Sequence, residues 1–394
     1  GNTINANASV VRRLILDSLR YWVQQMHVDG FRFDLASILS RDEAGVPMAS
    51  PPLLWDIETD PVLVGTKLIA EAWDAAGLYQ VGEFFGHHWK EWNGKFRDDV
   101  RSFVRGDEGG ALRRVAPRIL GSPDIYVRQD VSAERSINFV TSHDGFTLND
   151  LVSYDRKHNR ANGEKNRDGD NHNLSFNHGV EGPTDDPAIE ALRNRQIRNF
   201  LTLTLVSQGV PMLLMGDEIR RTQRGNNNAY CQDNETSWFD WTMVEAHEGL
   251  RRFVRELIRL RVGRLMSHDS RGLTLQEVLE AAEIRWHGTR LDAPDWSDHS
   301  HTIGIEVRGQ NELFYLILNL YDEPLEFDLP TTRSSDGWRL VVDTSNPSPY
   351  DIFPLWEAPP IHGTFYGAKP RSVVLLSTAR ERSGVSRSSE PSSP

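Results

Sequence analysis

Gly30-Phe31-Arg32-Phe33-Asp34-Leu35 is the stretch that decides the fold: apolar and charged side chains alternate with the period of two that a strand requires, and the run reaches a carboxylate at its end. Immediately upstream, residues 8–26 carry Val10, Val11, Leu14, Ile15, Leu19, Tyr21, Trp22 and Met26 at helical spacing, with Asn7 or Ser9 as the expected cap. Downstream, past a proline-rich connection at 47–52, Lys67-Leu68-Ile69-Ala70-Glu71 is a second short apolar run that again closes on an acid. Glu91-Trp92-Asn93-Gly94-Lys95-Phe96-Arg97 reads as a third strand, followed by helices near 98–105 and 110–120. Ile137-Asn138-Phe139-Val140-Thr141 reads as a fourth strand, and Pro211-Met212-Leu213-Leu214-Met215 as a buried one. Helices are expected at 188–207 and 246–263, and a long polar surface loop at 159–187. Short apolar strands that alternate with helices indicate parallel β/α units.

The pattern changes near residue 270. Tyr315-Leu316-Ile317-Leu318-Asn319-Leu320, Leu325-Glu326-Phe327-Asp328-Leu329, Trp338-Arg339-Leu340-Val341-Val342 and Ser372-Val373-Val374-Leu375-Leu376 are strand-like runs separated by turns. They predict an all-β sandwich domain over 270–378, after an α/β domain over 1–265. Residues 379–394, rich in Ser, Pro and charge, read as a disordered tail.

Composition narrows the function classes. The 394 residues hold 44 Lys and Arg against 56 Asp and Glu, a formal net charge of -12, which disfavours a phosphate-binding surface and hence nucleic acid. No apolar run is long enough to span a bilayer, so no membrane is expected. The single cysteine, Cys231, excludes an internal disulfide framework and a cysteine zinc cluster. The N-terminal residues show no signal-peptide pattern, which favours the cytoplasm. Eleven Trp, nine Tyr and sixteen Phe suit both a large core and stacking on flat ligands such as sugars.

The acids carry the chemistry. Asp34, Glu71 and Asp144 each follow an apolar run, and Asp217-Glu218 follows another. In a β/α barrel the C-terminal strand ends converge on one face, so these acids would meet there. Strand alternation sends Arg32 and Asp34 to the same side, and a neighbouring cation lowers a carboxyl pKa by roughly 1–3 units, favouring an ionised Asp34. Ala70, Ala72 and Trp73 give Glu71 an apolar setting that keeps its proton available. An ionised acid beside a protonated one, with carboxyls about 5–5.5 Å apart, is the equipment of a retaining glycosidase.

The wording around these acids strengthens the case. Gly30-Phe31-Arg32-Phe33-Asp34, Glu71-Ala72-Trp73-Asp74 and Val140-Thr141-Ser142-His143-Asp144 resemble three marker regions of the α-amylase superfamily. Glu91-Trp92-Asn93-Gly94-Lys95, residues 143–149, 210–218 and 225–234 resemble its isoamylase and glycogen-debranching branch. The resemblance implies Asp34 as nucleophile, Glu71 as general acid/base and Asp144 as the carboxylate that orients the sugar, with Arg32 and His143 hydrogen-bonding the substrate. The implied reaction is hydrolysis of α-1,6 branch linkages in glycogen or amylopectin, with retention and without a cofactor, in cytoplasm or plastid stroma. An α-1,4-glucan hydrolase and a non-catalytic glucan-binding subunit are the alternatives. The family's first marker region is not in the chain, so residues 1–265 would supply only the C-terminal part of a (β/α)8 TIM barrel, about strands 4–8. On that expectation the isolated chain folds poorly or is inactive.

Further residues are candidates for binding. Trp73 is a sugar-stacking platform or a core residue; Asp217 and Asn227 are candidates for contacting sugar hydroxyls, against ordinary turn chemistry for the loop at 226–228. His87-His88 lacks a third metal ligand. Asp168-Gly169-Asp170-Asn171 suggests calcium, but lacks the distal Glu of a calcium loop and reads by default as solvated, so no metal is assigned.

Overall fold

A computed structural model describes residues 3–126, 131–265, 273–309, 313–332 and 337–378. Five strands, β1 (Gly30–Phe33), β2 (Lys67–Ala70), β3 (Trp89–Trp92), β4 (Ser136–Asn138) and β5 (Val210–Pro211), form one sheet in sequence order, every pair parallel. Between and around them run helices α1 (Ser9–Gln24), α2 (Pro52–Thr59), α3 (Gly94–Arg105), α4 (Ala111–Ile119), the short α5 (Leu148–Leu151) and α6 (Pro187–Val206). The short α7 (Met243–Ala246) and α8 (Glu248–Leu260) follow β5. Parallel strands bring their C-terminal ends to one edge, which puts the segments after β1, β2 and β4 side by side.

Several boundaries differ from the sequence reading. The run at 91–97 is not one strand: Asn93 ends β3, its side chain accepts from the Phe96 amide at 2.9 Å, and Gly94 opens α3. The fourth and fifth strands are shorter than expected, and Met215 is exposed rather than buried, because the chain leaves the sheet as soon as its ladder partners end. Asp144 therefore belongs to a loop, not a strand end. The alternation through β1 stops at Phe33, since Leu35 takes a left-handed backbone and turns into a 3-10 helix at Ala36–Ser40. Neither Asn7 nor Ser9 caps α1. The Asn7 amide instead donates to the Leu39 and Arg41 carbonyls and accepts from the Leu53 amide, tying three segments together.

The second half contains α9 (Leu275–Glu280), opened by a Thr274–Glu277 capping box, and strands β6 (Glu283–His287), β7 (Thr302–Arg308), β8 (Leu313–Asn319), β9 (Leu325–Asp328), β10 (Arg339–Asp343), β11 (Phe365–Ala368) and β12 (Ser372–Ser377). They make an antiparallel sheet of order β10-β12-β8-β7-β6 and a β11-β9 pair. The two faces of β8 alternate in partner. Leu313, Tyr315 and Ile317 meet Phe327, Trp338 and Val374, whereas Leu316 and Leu318 join Phe96, Phe200 and Phe253 from α3, α6 and α8. One apolar core is thus shared by the helices around the parallel sheet and by the outer face of the antiparallel one. The junction expected at 265–270 falls in 266–272, and the expected tail at 379–394, both outside the described residues.

Candidate active site

The site is organised by Arg32, the third residue of β1. Its Nη1 donates to Asp34 Oδ1 at 2.7 Å, and its Nη2 lies 3.1 Å from Glu71 Oε2. One guanidinium thus spans both acids. The guanidinium is itself stacked over Trp92, 4.3 Å from the ring centroid, which holds its plane.

The two acids differ in setting. The Glu71 side chain is 8% exposed, and its Oε2 accepts from the Leu35 amide at 2.7 Å. The left-handed turn at Leu35 aims that amide. Burial pushes the Glu71 carboxyl above its ordinary value; the Leu35 amide and Arg32 oppose this, and the negative charges of Asp34 and Asp144 add to it. The Asp34 side chain is 72% exposed and paired with Arg32.

Glu71 and Asp144 line one cleft of about 300 Å³, together with Trp73, Trp92, Ser142 and Asn227. Asp34 is not part of its wall and connects to it through Arg32. The Asp144 side chain is 70% exposed, with Oδ2 3.7 Å from His143 Nε2, and His143 packs edge-on against Trp92 at 5.8 Å between centroids. Trp73 lies parallel to Tyr79, with centroids 6.1 Å apart, and also lines an adjoining recess of about 270 Å³ with Asp74 and Arg97. Asp34, Glu71, Asp144, Arg32, His143 and Trp73 are therefore gathered at one mouth.

Two expected binding residues have another place. Asp217 is 2% exposed: its Oδ2 accepts from the Thr141 hydroxyl and its Oδ1 from the Leu148 amide at 2.9 Å, so it clamps the loop bearing His143 and Asp144 instead of reaching a ligand. Burial pushes its carboxyl up to about 7. Asn227 lines the cleft, but its amide is engaged within the protein. Its Nδ2 donates to the Asp170 carbonyl and Asn173 Oδ1, and its Oδ1 accepts from Asn159. Neighbouring Asp168 accepts from Asn162 and Asn228, which makes this loop a set of interlocked amides. Among the described residues, no group of three or more His, Cys, Asp or Glu is arranged to hold a metal.

Sequence reasoning missed Arg97, Asp98, Arg101, Asp170, His172 and Asn173 on the cleft wall. Arg101 is buried and donates to the Val140 and Asn173 carbonyls, joining the end of β4 to the long loop; burial pulls its pKa down to about 9. An arginine on the apolar face of α3 was the available signal.

Five parallel strands in sequence order lead into an antiparallel domain, and carboxylates gather at one edge of the parallel sheet. Solved relatives share the fold. Pullulanase from Bacillus acidopullulyticus superposes with a TM-score of 0.69 at 21% identity, over 96% of this chain and 41% of that one. The Bacillus subtilis type I pullulanase solved with maltose gives 0.68 at 22% identity, over 96% and 47%. Sequence is more specific. Residues 285–363 match the C-terminal domain of isoamylases 1–3. The chain is 45% identical over 375 residues to chloroplastic isoamylase 1 of rice, Oryza sativa subsp. japonica, covering 89% of this chain and 46% of that protein. It is 46% identical over 369 residues to a glycogen operon protein GlgX homologue of Mycobacterium tuberculosis, covering 88% and 51%. The chain is thus similar to these isoamylases over most of its own length, and spans about half the length of the curated relatives it matches. No helix among the described residues is long and apolar enough to cross a membrane.

Proposed function

We propose that this chain carries the catalytic carboxylates of a retaining glycosidase that cleaves α-1,6 branch linkages of glycogen or amylopectin. The observation that carries the reading is the single Arg32 guanidinium held between Asp34 and Glu71 on neighbouring parallel strands. In this reading Asp34 attacks the anomeric carbon as the C–O bond to the leaving chain breaks, and the Glu71 proton passes to the departing oxygen. Glu71 then takes a proton from water, the water oxygen bonds to the anomeric carbon, and the Asp34 ester is released. Each of the two displacements inverts the centre, so the product keeps the α configuration. Arg32 orients Asp34, the Leu35 amide fixes Glu71, and Asp144 with His143 holds the sugar at the mouth.

In the same reading β1–β5 are strands 4–8 of an eight-stranded barrel. The apolar side chains Val10, Leu14, Trp22 and Met26, exposed on or beside α1, support this, because a further β/α unit would cover them. The test is NMR of fresh products released by the complete gene product from a branched dextrin. The reading expects α-anomers, fewer branch points and longer linear chains, all lost in Asp34→Ala; β-anomers, or shortened linear chains with branches intact, would overturn it.

A further inference from the structure

A second recess, of about 290 Å³, lies in the segment that follows β5 and shares no lining residue with the catalytic cleft. One wall is Trp238, 59% exposed, with Phe239 beside it. The indole is held in place: its Nε1 donates to Asp233 Oδ1 at 3.0 Å, and its backbone amide donates to the Asn234 carbonyl at 3.0 Å. Arg221 supports the turn from below, its Nη2 donating to the Ser237 carbonyl at 2.8 Å. Arg221 also lines the recess, is nine-tenths buried, and its Nε has no hydrogen-bond partner. At the rim Arg224 faces Glu235 across 3.6 Å, both side chains largely in solvent, and Asp240 completes the polar side.

We propose that this recess is a second binding site for an α-glucan segment, with Trp238 as its stacking platform. A pyranose ring has an apolar C–H face and an edge of vicinal hydroxyls. The recess offers the matching pair of surfaces, a fixed flat aromatic wall and a rim of planar guanidinium and carboxylate groups that donate to and accept from adjacent hydroxyls. Three arginines line the recess against two acids, but Arg220 is paired with Glu190 at 2.6 Å and Arg224 faces Glu235, which suits a neutral polyol rather than an anion. A polymer held here and in the cleft at once gains effective concentration at the cleft without further contact to the acids.

The inference rests on the α-glucan reading of the cleft, and its test separates the two. The complete gene product, Trp238→Ala, Trp238→Phe and Arg224→Ala are compared by retardation in glycogen-containing gels, and by hydrolysis of a branched oligosaccharide too short to reach beyond the cleft. Trp238→Ala and Arg224→Ala are expected to weaken glycogen retention by about tenfold. Trp238→Phe should retain most of it, and short-substrate hydrolysis should be unchanged. If the glycosidase reading fails, none of the proteins hydrolyses the short substrate, yet the difference in retention persists. Unchanged retention overturns the proposal. So does an equal loss on the short substrate, and so does displacement of glycogen by inorganic phosphate, which would make the recess an anion site.

Discussion

Replacing Arg32 by Gln removes the one cation shared by the two acids, and the structure sets both the sign and the size of the effect. Arg32 Nη2 is 3.1 Å from Glu71 Oε2 and Nη1 is 2.7 Å from Asp34 Oδ1. Unit charges about 4 Å apart interact by about 4 kcal/mol at an effective dielectric near 20, and the open mouth reduces that to a fraction. Losing it disfavours the Glu71 anion, so a carboxyl that burial already pushes up is pushed further. With Glu71 as the proposed acid, its proton survives to higher pH, and the basic limb of kcat/KM moves upward. Asp34 loses the donor that orients it, so kcat at the optimum falls by about 100-fold. Arg32→Lys restores the charge but not the fork, so its basic limb stays near the parent's while kcat remains depressed. The assay is initial rates on a branched dextrin from pH 4 to 9. A basic limb that stays in place or moves to lower pH in Arg32→Gln, or a kcat within about threefold of the parent, would refute this account of the site.

Asp217→Asn should remove a pH dependence of stability. The folded-state pKa of about 7 lies above the unfolded value, so the folded protein binds the extra proton between the two, and its stability falls as pH rises through that window. Denaturant unfolding at pH 5 and pH 8 should show the parent losing roughly 2–3 kcal/mol and the variant losing much less; equal slopes would contradict the buried-acid reading. Gly169→Ala is expected to destabilise by roughly 2–4 kcal/mol. At φ +72 a Cβ there would sit 2.2 Å from Asn227 Oδ1 and 2.7 Å from Asn159 Nδ2, and an unchanged urea midpoint would show that the amide lock yields. Trp73→Ala, which removes a flat wall common to two recesses, should raise KM for branched dextrin about tenfold with kcat little changed, whereas an unaltered KM would make Trp73 a packing residue.

The closeness of Asp34 and Glu71 was legible because β1 and β2 are short, apolar and followed by an acid, a pattern local to five residues. What was not legible arises from contacts distant in sequence. Glu91 opens the run read as a third strand, and it is buried, with Arg135 2.7 Å away and the Gly82 amide donating to it. No periodicity announces a pair separated by that much chain. Strands β6 and β7 escaped notice because charged residues interrupt them and a loop parts them; their polar positions include the buried His287–Glu306 pair, 3.1 Å apart. Asp217 and Asn227 lie near the cleft as expected, with side chains bonded to neighbouring loops. Composition cannot distinguish a polar side chain that faces a ligand from one whose bonds are all spent on neighbouring loops. Leu35 belongs to the same category, since its left-handed turn, which supplies the Glu71 donor, interrupts an otherwise regular alternation.

The central claim, that Asp34 bonds covalently to sugar, is tested most directly by trapping. The complete gene product is incubated with an activated fluorinated α-glucosyl donor whose second displacement is slow, then digested and mapped by mass spectrometry. The account predicts one glucosyl adduct, on the peptide bearing Asp34, with none in Asp34→Ala. An adduct on Glu71 or Asp144, or turnover without any adduct and with inverted product, would contradict it.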